Sequence, residues 1–484
     1  MKKFSKYVLI TAVALLCALV FTACGGGNGG KNGDNNKKGE PTQLVMSALS
    51  YDAGTEAVSW NKVTNASGYA LRVGSDAKAA SAITENGGKM RYYLTETYSG
   101  TYTVYVKALG DGENYTDSAE ASKEITLLKI LKKTVAVGTN HTLAIDESGN
   151  LLAWGANTYG QLGDGTRTST GPSKLEVTVM AGTKFAAAAA GDNLSAAIDT
   201  DGNLWTWGRN DYGQLGNGGT NPGYGETIPD KVKDGTKFVS VSMDGWGTGY
   251  TSAAIDKDGN LWMWGRNDSG QLGNGESGWG TFEETPVKVN GTKFASVSSG
   301  RYHTLAIGRD GNLWAWGQNT NGQVGDGTTA DKNQPVKIKG DTKFTAVSAG
   351  SSHSLAIDTS GNLWIWGQGT RLGMGAAAPM VKEPTEIPAF ADKKFKLINA
   401  SGDFSLAVDA DGKLWTWDSN APSQFSVLEE KQIVAISAGQ HSFAIDKDGK
   451  AWAWGVSGNG ELDNGVAGNP TAPVAVKTDI KFSV

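Results

Sequence analysis

The sequence predicts an all-β protein: a seven-bladed β-propeller behind a small immunoglobulin-like β-sandwich. Three observations carry this reading. Glycine supplies 67 of the 484 residues and tryptophan 16, a composition suited to many tight turns joining short strands around large aromatic anchors. A unit ending in tryptophan recurs seven times, at Trp154, Trp207, Trp264, Trp316, Trp366, Trp417 and Trp454, with spacings of 53, 57, 52, 50, 51 and 37 residues. Each unit holds four strand signals. Four antiparallel strands repeated seven times is the pattern of a propeller, in which neighbouring blades cover the sheet faces that no single unit can bury.

The chain opens with Lys2, Lys3 and Lys6, followed by an apolar run from Tyr7 to Phe21. That run is short for a membrane span and suits a secretion signal. Thr22-Ala23-Cys24 and three glycines follow, and this ending resembles a bacterial lipoprotein signal, although Phe21 stands where the pattern usually has leucine. The resemblance implies cleavage before Cys24 and a lipid on its thiol, with residues 1–23 as signal peptide. Cys17 is the weaker candidate. Residues 24–40 are Gly, Asn and Lys rich and cannot bury a core, so they are expected to form a flexible tether. The expected location is the outer side of a bacterial membrane, at the cell surface. Cys17 and Cys24 are the only cysteines in the sequence, which excludes disulfides, thiolate metal sites and cysteine nucleophiles from residues 41–484. Lys and Arg number 44 against 49 Asp and Glu. This balance argues against nucleic acid binding, which needs clustered positive charge.

Residues 41–128 read as short alternating strands, AVSWNKV, SGYALRV, RYYLTET, TYTVYVKALG and SKEITLL, separated by Asn, Gly, Ser and Asp clusters that mark turns. Trp60, Ala66 and Tyr69, with Tyr102, Val104, Val106 and Ala108, follow the spacing of a fibronectin type III domain, which the segment resembles. The resemblance implies a sandwich acting as a spacer.

Residues 129–484 hold the seven units. In the fourth, the first strand alternates around Phe294 and Val297, and the second is of the type Leu305-Ala306-Ile307. Asp310-Gly311-Asn312 offers a tight hairpin, Leu313-Trp314-Ala315-Trp316 is the third strand, and Pro335-Val336-Lys337-Ile338 the fourth. GQLGDG at 160–165, GQLGNG at 213–218 and 270–275, and GQVGDG at 322–327 are marks of the regulator of chromosome condensation family, which the whole segment resembles. The fifth unit keeps only Arg371-Leu372-Gly373-Met374-Gly375, the sixth loses the motif, and the seventh has Gly460-Glu461-Leu462-Asp463. The final Lys481-Phe482-Ser483-Val484 looks like the start of another first strand and is expected to help close the ring.

Most repeated residues read as scaffold. Thirteen of the sixteen tryptophans lie in third strands; two residues apart they share a face, expected to pack on the next blade. His141, His303, His353 and His441 occupy one repeat position and are spread round a ring, which suits buried structural roles and not a metal cluster. Asp-x-Asp-Gly runs such as Asp199 with Asp201 lack the distal carboxylate of a calcium loop. The GQLG-x-G loops lack the lysine and hydroxyl of a phosphate loop. No catalytic constellation stands out, so the chain is expected not to be an enzyme and to need no cofactor or metal.

Residues that break the repeat are the better guide to binding. Trp246 and Trp279 are the only propeller tryptophans outside third strands. Both fall in Gly-rich insertions of the third unit, in connections that antiparallel order puts at one end of the blade. Tyr224, in the long loop of the second unit, and Tyr159, Tyr212 and Tyr302 should emerge on that same end. This aromatic rim is the candidate ligand site, since aromatics among Gly and Asn give large contact area at low entropic cost. The alternative is that both tryptophans fold back over the blade. The expected function is a non-catalytic, monomeric surface lipoprotein binding a macromolecule, a protein foremost. A glycan-binding module is the alternative. A second is inhibition of an extracytoplasmic enzyme, since the architecture resembles secreted bacterial propellers that inhibit β-lactamases. The family's nuclear members exchange guanine nucleotide on a small GTPase and bind chromatin, roles that a secretion signal and an acidic balance oppose.

Overall fold

A computed structural model describes residues 41–483, apart from 53–56, 74–75, 79–82, 95–99, 128–131, 169–175, 244–248, 375–378, 419, 463–468 and 477–479. The expected signal, Cys24 and tether lie outside the described residues, as does Trp246. In the N-terminal unit two four-stranded antiparallel sheets share one core. One contains Ala57–Asn61 and Lys89–Tyr93, the other Gly68–Val73 and Gly100–Leu109. Trp60 is buried between them and meets Tyr69 edge to face at 5.5 Å. The Tyr69 hydroxyl accepts the Val63 N–H at 2.7 Å, so its polar tip is satisfied.

Seven four-stranded antiparallel sheets follow, each made of strands consecutive in sequence. Their inner strands run from Val135–Val137 in blade 1, through Phe294–Ser299 in blade 4, to Ile433–Ala438 in blade 7. Each inner strand touches the next, and that of blade 7 touches that of blade 1, so the ring is closed.

The closure has a specific device. In blades 2 to 7 a large apolar residue begins the inner strand, and its N–H bonds the glycine carbonyl of the preceding hairpin, as Phe294 does with Gly259 at 2.8 Å. Blade 1 has the exposed Lys132 at that place. Phe482 fills the vacancy: its N–H bonds the Gly449 carbonyl at 3.1 Å, and the Ser483 N–H bonds Ile145 at 2.9 Å. The Phe482 ring is 1% exposed and lies 6.5 Å from Trp154 and 5.9 Å from Phe443, spanning the seam between first and last blades.

The third-strand tryptophans pack on the preceding blade, not the next as the sequence reading expected. Trp207 of blade 2 lies among Leu143, Leu151 and Ala153 of blade 1 and donates to the Gln161 carbonyl at 2.9 Å. Trp264, Trp316 and Trp366 repeat this with Gln214, Gln271 and Gln323. The two tryptophans of a strand do share a face, but which neighbour it meets depends on how the blades stack, and a period of two does not encode that. This seam also explains the GQLG motif. Gly163 has φ +73°, and a Cβ there would sit 2.8 Å from the Trp207 indole nitrogen, so only glycine fits.

Candidate functional site

The repeated polar residues hold the seams together. The Ser195 hydroxyl donates to the Gln161 carbonyl at 2.7 Å, so its proton is committed. His141 Nε2, 2.8 Å away, must therefore carry a proton and donate to it. His303 with Ser354, His353 with Ser405 and His441 with Thr142 make the same contact with the next blade. Burial pushes all four imidazoles down to about 3, the neutral form being the one a dry seam tolerates. The Asp-x-Asp-Gly carboxylates are likewise occupied within their hairpins. Asp199 accepts the N–H groups of Asp201 and Asn203 on one oxygen, and the Asn203 amide and Trp205 indole on the other.

The rim has a different character. Trp279 is 91% exposed and Tyr224 64%, so Trp279 does not fold back over its blade. Tyr212 stacks on Tyr250 at 5.3 Å with 17° between the rings, and Phe282 meets Tyr212 edge-on at 6.3 Å. Tyr224 lies within the fourth strand Asn221–Val232 and not in a loop, because that strand extends further than the sequence pattern marks.

Two arginines join these rings across blades. Arg209 of blade 2 lies 4.9 Å from the ring centre of Tyr159 in blade 1 and 4.7 Å from that of Tyr250 in blade 3. Arg266 of blade 3 lies 5.1 Å from Tyr212 in blade 2, 5.7 Å from Tyr302 in blade 4 and 6.0 Å from Trp279 in its own blade. The result is an alternating ladder of arginines and aromatics over blades 1 to 4, at distances where the ring quadrupole attracts a guanidinium. It brings together Tyr159, Tyr212, Tyr302 and Trp279. Tyr224 stands beside it, 5.7 Å from Arg167.

Each arginine is fixed by an aspartate two residues on, which also pins the neighbouring insertion. Asp211 Oδ2 accepts from Arg209 Nε at 2.6 Å while Oδ1 accepts the Gly223 N–H at 2.9 Å. Asp268 repeats this with Arg266 Nε at 2.7 Å and the Gly280 N–H at 2.9 Å. The Trp279 loop closes on itself, Thr281 N–H bonding Gly278 and Asn267 N–H bonding Thr281. Burial works against the Arg209 and Arg266 charges, but their aspartates and the surrounding hydroxyls raise both above the ordinary guanidinium value. Tyr250 is raised too, chiefly by burial. Asp192, 3.4 Å from Arg209, is raised by burial.

The sequence reading missed Arg209, Arg266, Tyr250 and Phe282. A signal existed. The residue after the third-strand Trp-Gly is arginine only in blades 2 and 3, against Ala156, Gln318, Gln368 and Val456 elsewhere. These arginines break the repeat from inside the motif, directly after Trp-Gly, and not in an insertion. Among the described residues no three His, Cys, Asp or Glu side chains are grouped to hold a metal ion.

The sequence model of the RCC1-like domain matches residues 105–425. The ultraviolet-B receptor UVR8 of Arabidopsis thaliana is 37% identical over 48% of this chain and 50% of its own length. The mitochondrial RCC1 domain-containing protein RUG3 of the same plant is 32% identical over 61% of this chain and 55% of its own. The chain thus spans about half the length of these two relatives. Among solved structures, yeast RCC1 (Prp20) in its complex with Kap60 superposes with a TM-score of 0.54, at 24% identity, over 63% of this chain and 77% of that one. That likeness establishes the propeller fold.

Proposed function

We propose that this chain, which belongs to the RCC1-like domain family, is a non-catalytic binding protein that presents the arginine–aromatic rim of blades 1 to 4 to a protein ligand. One observation carries the proposal: Trp279 stands 91% exposed on a loop tied down through Asp268, beside a preformed ladder. A large ring held out in water loses apolar surface energy until something covers it, and a pinned loop loses little entropy on binding. Flanking Tyr224 and Phe282 widen the apolar surface, as a protein ligand requires and a single sugar does not. The signal-like N-terminus and Cys24 place this propeller, in our reading, at a bacterial surface. There the fibronectin-like unit serves as a spacer above a lipid anchor.

The test is a pull-down from cell-surface and secreted fractions. Soluble residues 41–484 would be compared with a Trp279→Ala, Tyr224→Ala variant of equal thermal stability. Protein partners recovered by the first bait and lost by the second support the reading. Equal recovery by both moves the site off the rim, and release of captured material by soluble sugars would make the ligand a glycan.

A further inference from the structure

The axis of the propeller holds a second site of different chemistry. All seven inner strands line a channel made of two joined cavities, one of about 410 Å³ and a narrower one of about 50 Å³. The wide cavity is lined by the beginnings of the inner strands and the narrow one by their ends. The strand ends lead into the connections that carry Tyr250 and Tyr302. The wide mouth therefore opens on the face opposite the aromatic rim.

Five residues, one each from blades 1, 3, 4, 5 and 6, line both cavities and form a collar where they meet: Lys133, Ser242, Ser298, Ser348 and Asn399. Above the collar the wide cavity is walled by Val241, Val297, Val347, Leu397 and Ile436. Among the described residues the only charged ones lining the channel are Lys132 and Lys133, in a chain whose net charge is −5. The Lys133 side chain is open to the channel, and no carboxylate pairs with its ammonium among the described residues. Inner strands of all seven blades surround the channel that this ammonium faces, so an anion bound there meets an uncompensated positive charge. The collar serines Ser242, Ser298 and Ser348 each accept a backbone N–H of the next blade, from Ser299, Ala349 and Ala400 at 2.8–3.0 Å, and so keep their own hydroxyl protons to donate.

We propose that the axial channel is a binding site for a small carboxylate with an apolar tail. The carboxylate meets Lys133 and the serine hydroxyls at the collar, and the tail lies against the valine and leucine walls of the wide mouth. A cationic group is excluded by Lys132 and Lys133. A purely apolar guest would leave the Lys133 charge uncompensated, and a purely inorganic anion would leave the walls wet.

Octanoate, octylammonium and inorganic phosphate serve as probes, titrated by calorimetry into the full chain and into its Lys133→Met and Lys133→Arg variants. Lys133 joins blade 2 only through its backbone, whose carbonyl accepts the Ala188 N–H at 2.9 Å, and its side chain belongs to no apolar cluster, so thermal melting should show all three proteins equally folded. Octanoate should bind at least tenfold more tightly than octylammonium. Lys133→Met should abolish that preference and Lys133→Arg should retain it. Phosphate should bind more weakly than octanoate. Equal binding of octanoate and octylammonium, or an octanoate affinity unchanged in Lys133→Met, would overturn the proposal. Phosphate binding as tight as octanoate would overturn the apolar part of it.

Discussion

Deleting residues 480–484 should loosen the propeller at one seam before the others. The lost contacts can be counted from the structure. Phe482 is 1% exposed against Trp154 and Phe443, and removing a buried phenylalanine ring costs roughly 3–5 kcal/mol. Three backbone bonds go with it: Phe482 to Gly449, Ser483 to Ile145 and Glu147 to the Lys481 carbonyl, at about 1 kcal/mol each. The deletion should therefore cost roughly 7 kcal/mol, and Phe482→Ala about half of that. The ring gives this loss a direction. Blades 1 and 7 would keep their own sheets but lose the piece that spans them.

The assay is native-state hydrogen exchange. Amides of Val135–Val137 and Ala451–Gly455 should exchange faster in the deletion, while those of Phe294–Ser299 on blade 4 stay protected, because local opening reports local contacts. Phe294→Ala provides the control: the same chemical change at the same repeat position inside the ring should open blades 3 and 4 instead. Uniform acceleration across all blades in the deletion would refute a local closure. No change in blades 1 and 7 would refute closure by this segment altogether.

Other expectations follow from the seams and the rim. The four seam histidines hold their protons only near pH 3 when folded, whereas the unfolded chain binds them near 6.5. Stability is thus complete above about pH 6.5 and falls as pH drops toward 3, at about 1.4 kcal/mol per pH unit for each histidine. His303→Gln, which keeps a donor for Ser354, should reduce that slope by about a quarter in urea titrations between pH 4 and 6, and an unchanged slope would contradict the seam assignment. Gly273 has φ +68°, and a Cβ there would lie 2.7 Å from the Trp316 indole nitrogen, so Gly273→Ala should lower stability by about 2 kcal/mol or more, measured by chemical denaturation. Trp279→Ala should change stability by less than about 0.5 kcal/mol, while Arg266→Met should speed exchange of the Gly280 amide, which Asp268 holds; an unaltered Gly280 rate would separate the loop from the ladder.

The fold was legible because it is periodic. The seven tryptophan-ending units each became a sheet, and five of the seven hairpins fell at Asp-Gly, with Asp199, two residues before the Asp-Gly of blade 2, satisfying four donors. Phe482 was half legible: its likeness to a first strand shows in Lys481-Phe482, but its partner shows only as an absence, Lys132 where other units have a large apolar residue. The rim was legible in its exposed members and not in its joints. Trp279 and Tyr224 stand out by interrupting a motif. Arg209 and Arg266 work by touching rings on the blades before and after them, and no single unit contains that relation. The axial collar was illegible for the same reason, being built from separate inner strands at one height.

The rim occupies the part of the ring where the repeat is most regular, and this has a mechanical reading. The seams joining blades 1 to 4 all use a buried tryptophan bonded to a glutamine carbonyl. Where the motif decays, at blades 5 and 6, the Trp417 indole N–H has no acceptor among the described residues. Phe390 fills the gap instead, edge-on to Phe395 at 4.8 Å, Trp415 at 5.2 Å and Trp417 at 5.7 Å. Apolar packing holds such a seam together but fixes it less sharply than a directed bond, since aromatic contacts tolerate sliding. An arginine that must lie about 5 Å from rings on two neighbouring blades needs the sharper kind. Phe390→Ala should therefore lower stability by roughly 3–5 kcal/mol yet leave ligand affinity at the rim unchanged in calorimetry at a temperature where the variant remains folded. A fall in affinity with Phe390→Ala would show that the regular and irregular halves of the ring are mechanically coupled, and that the placement of the rim on the regular seams has another cause.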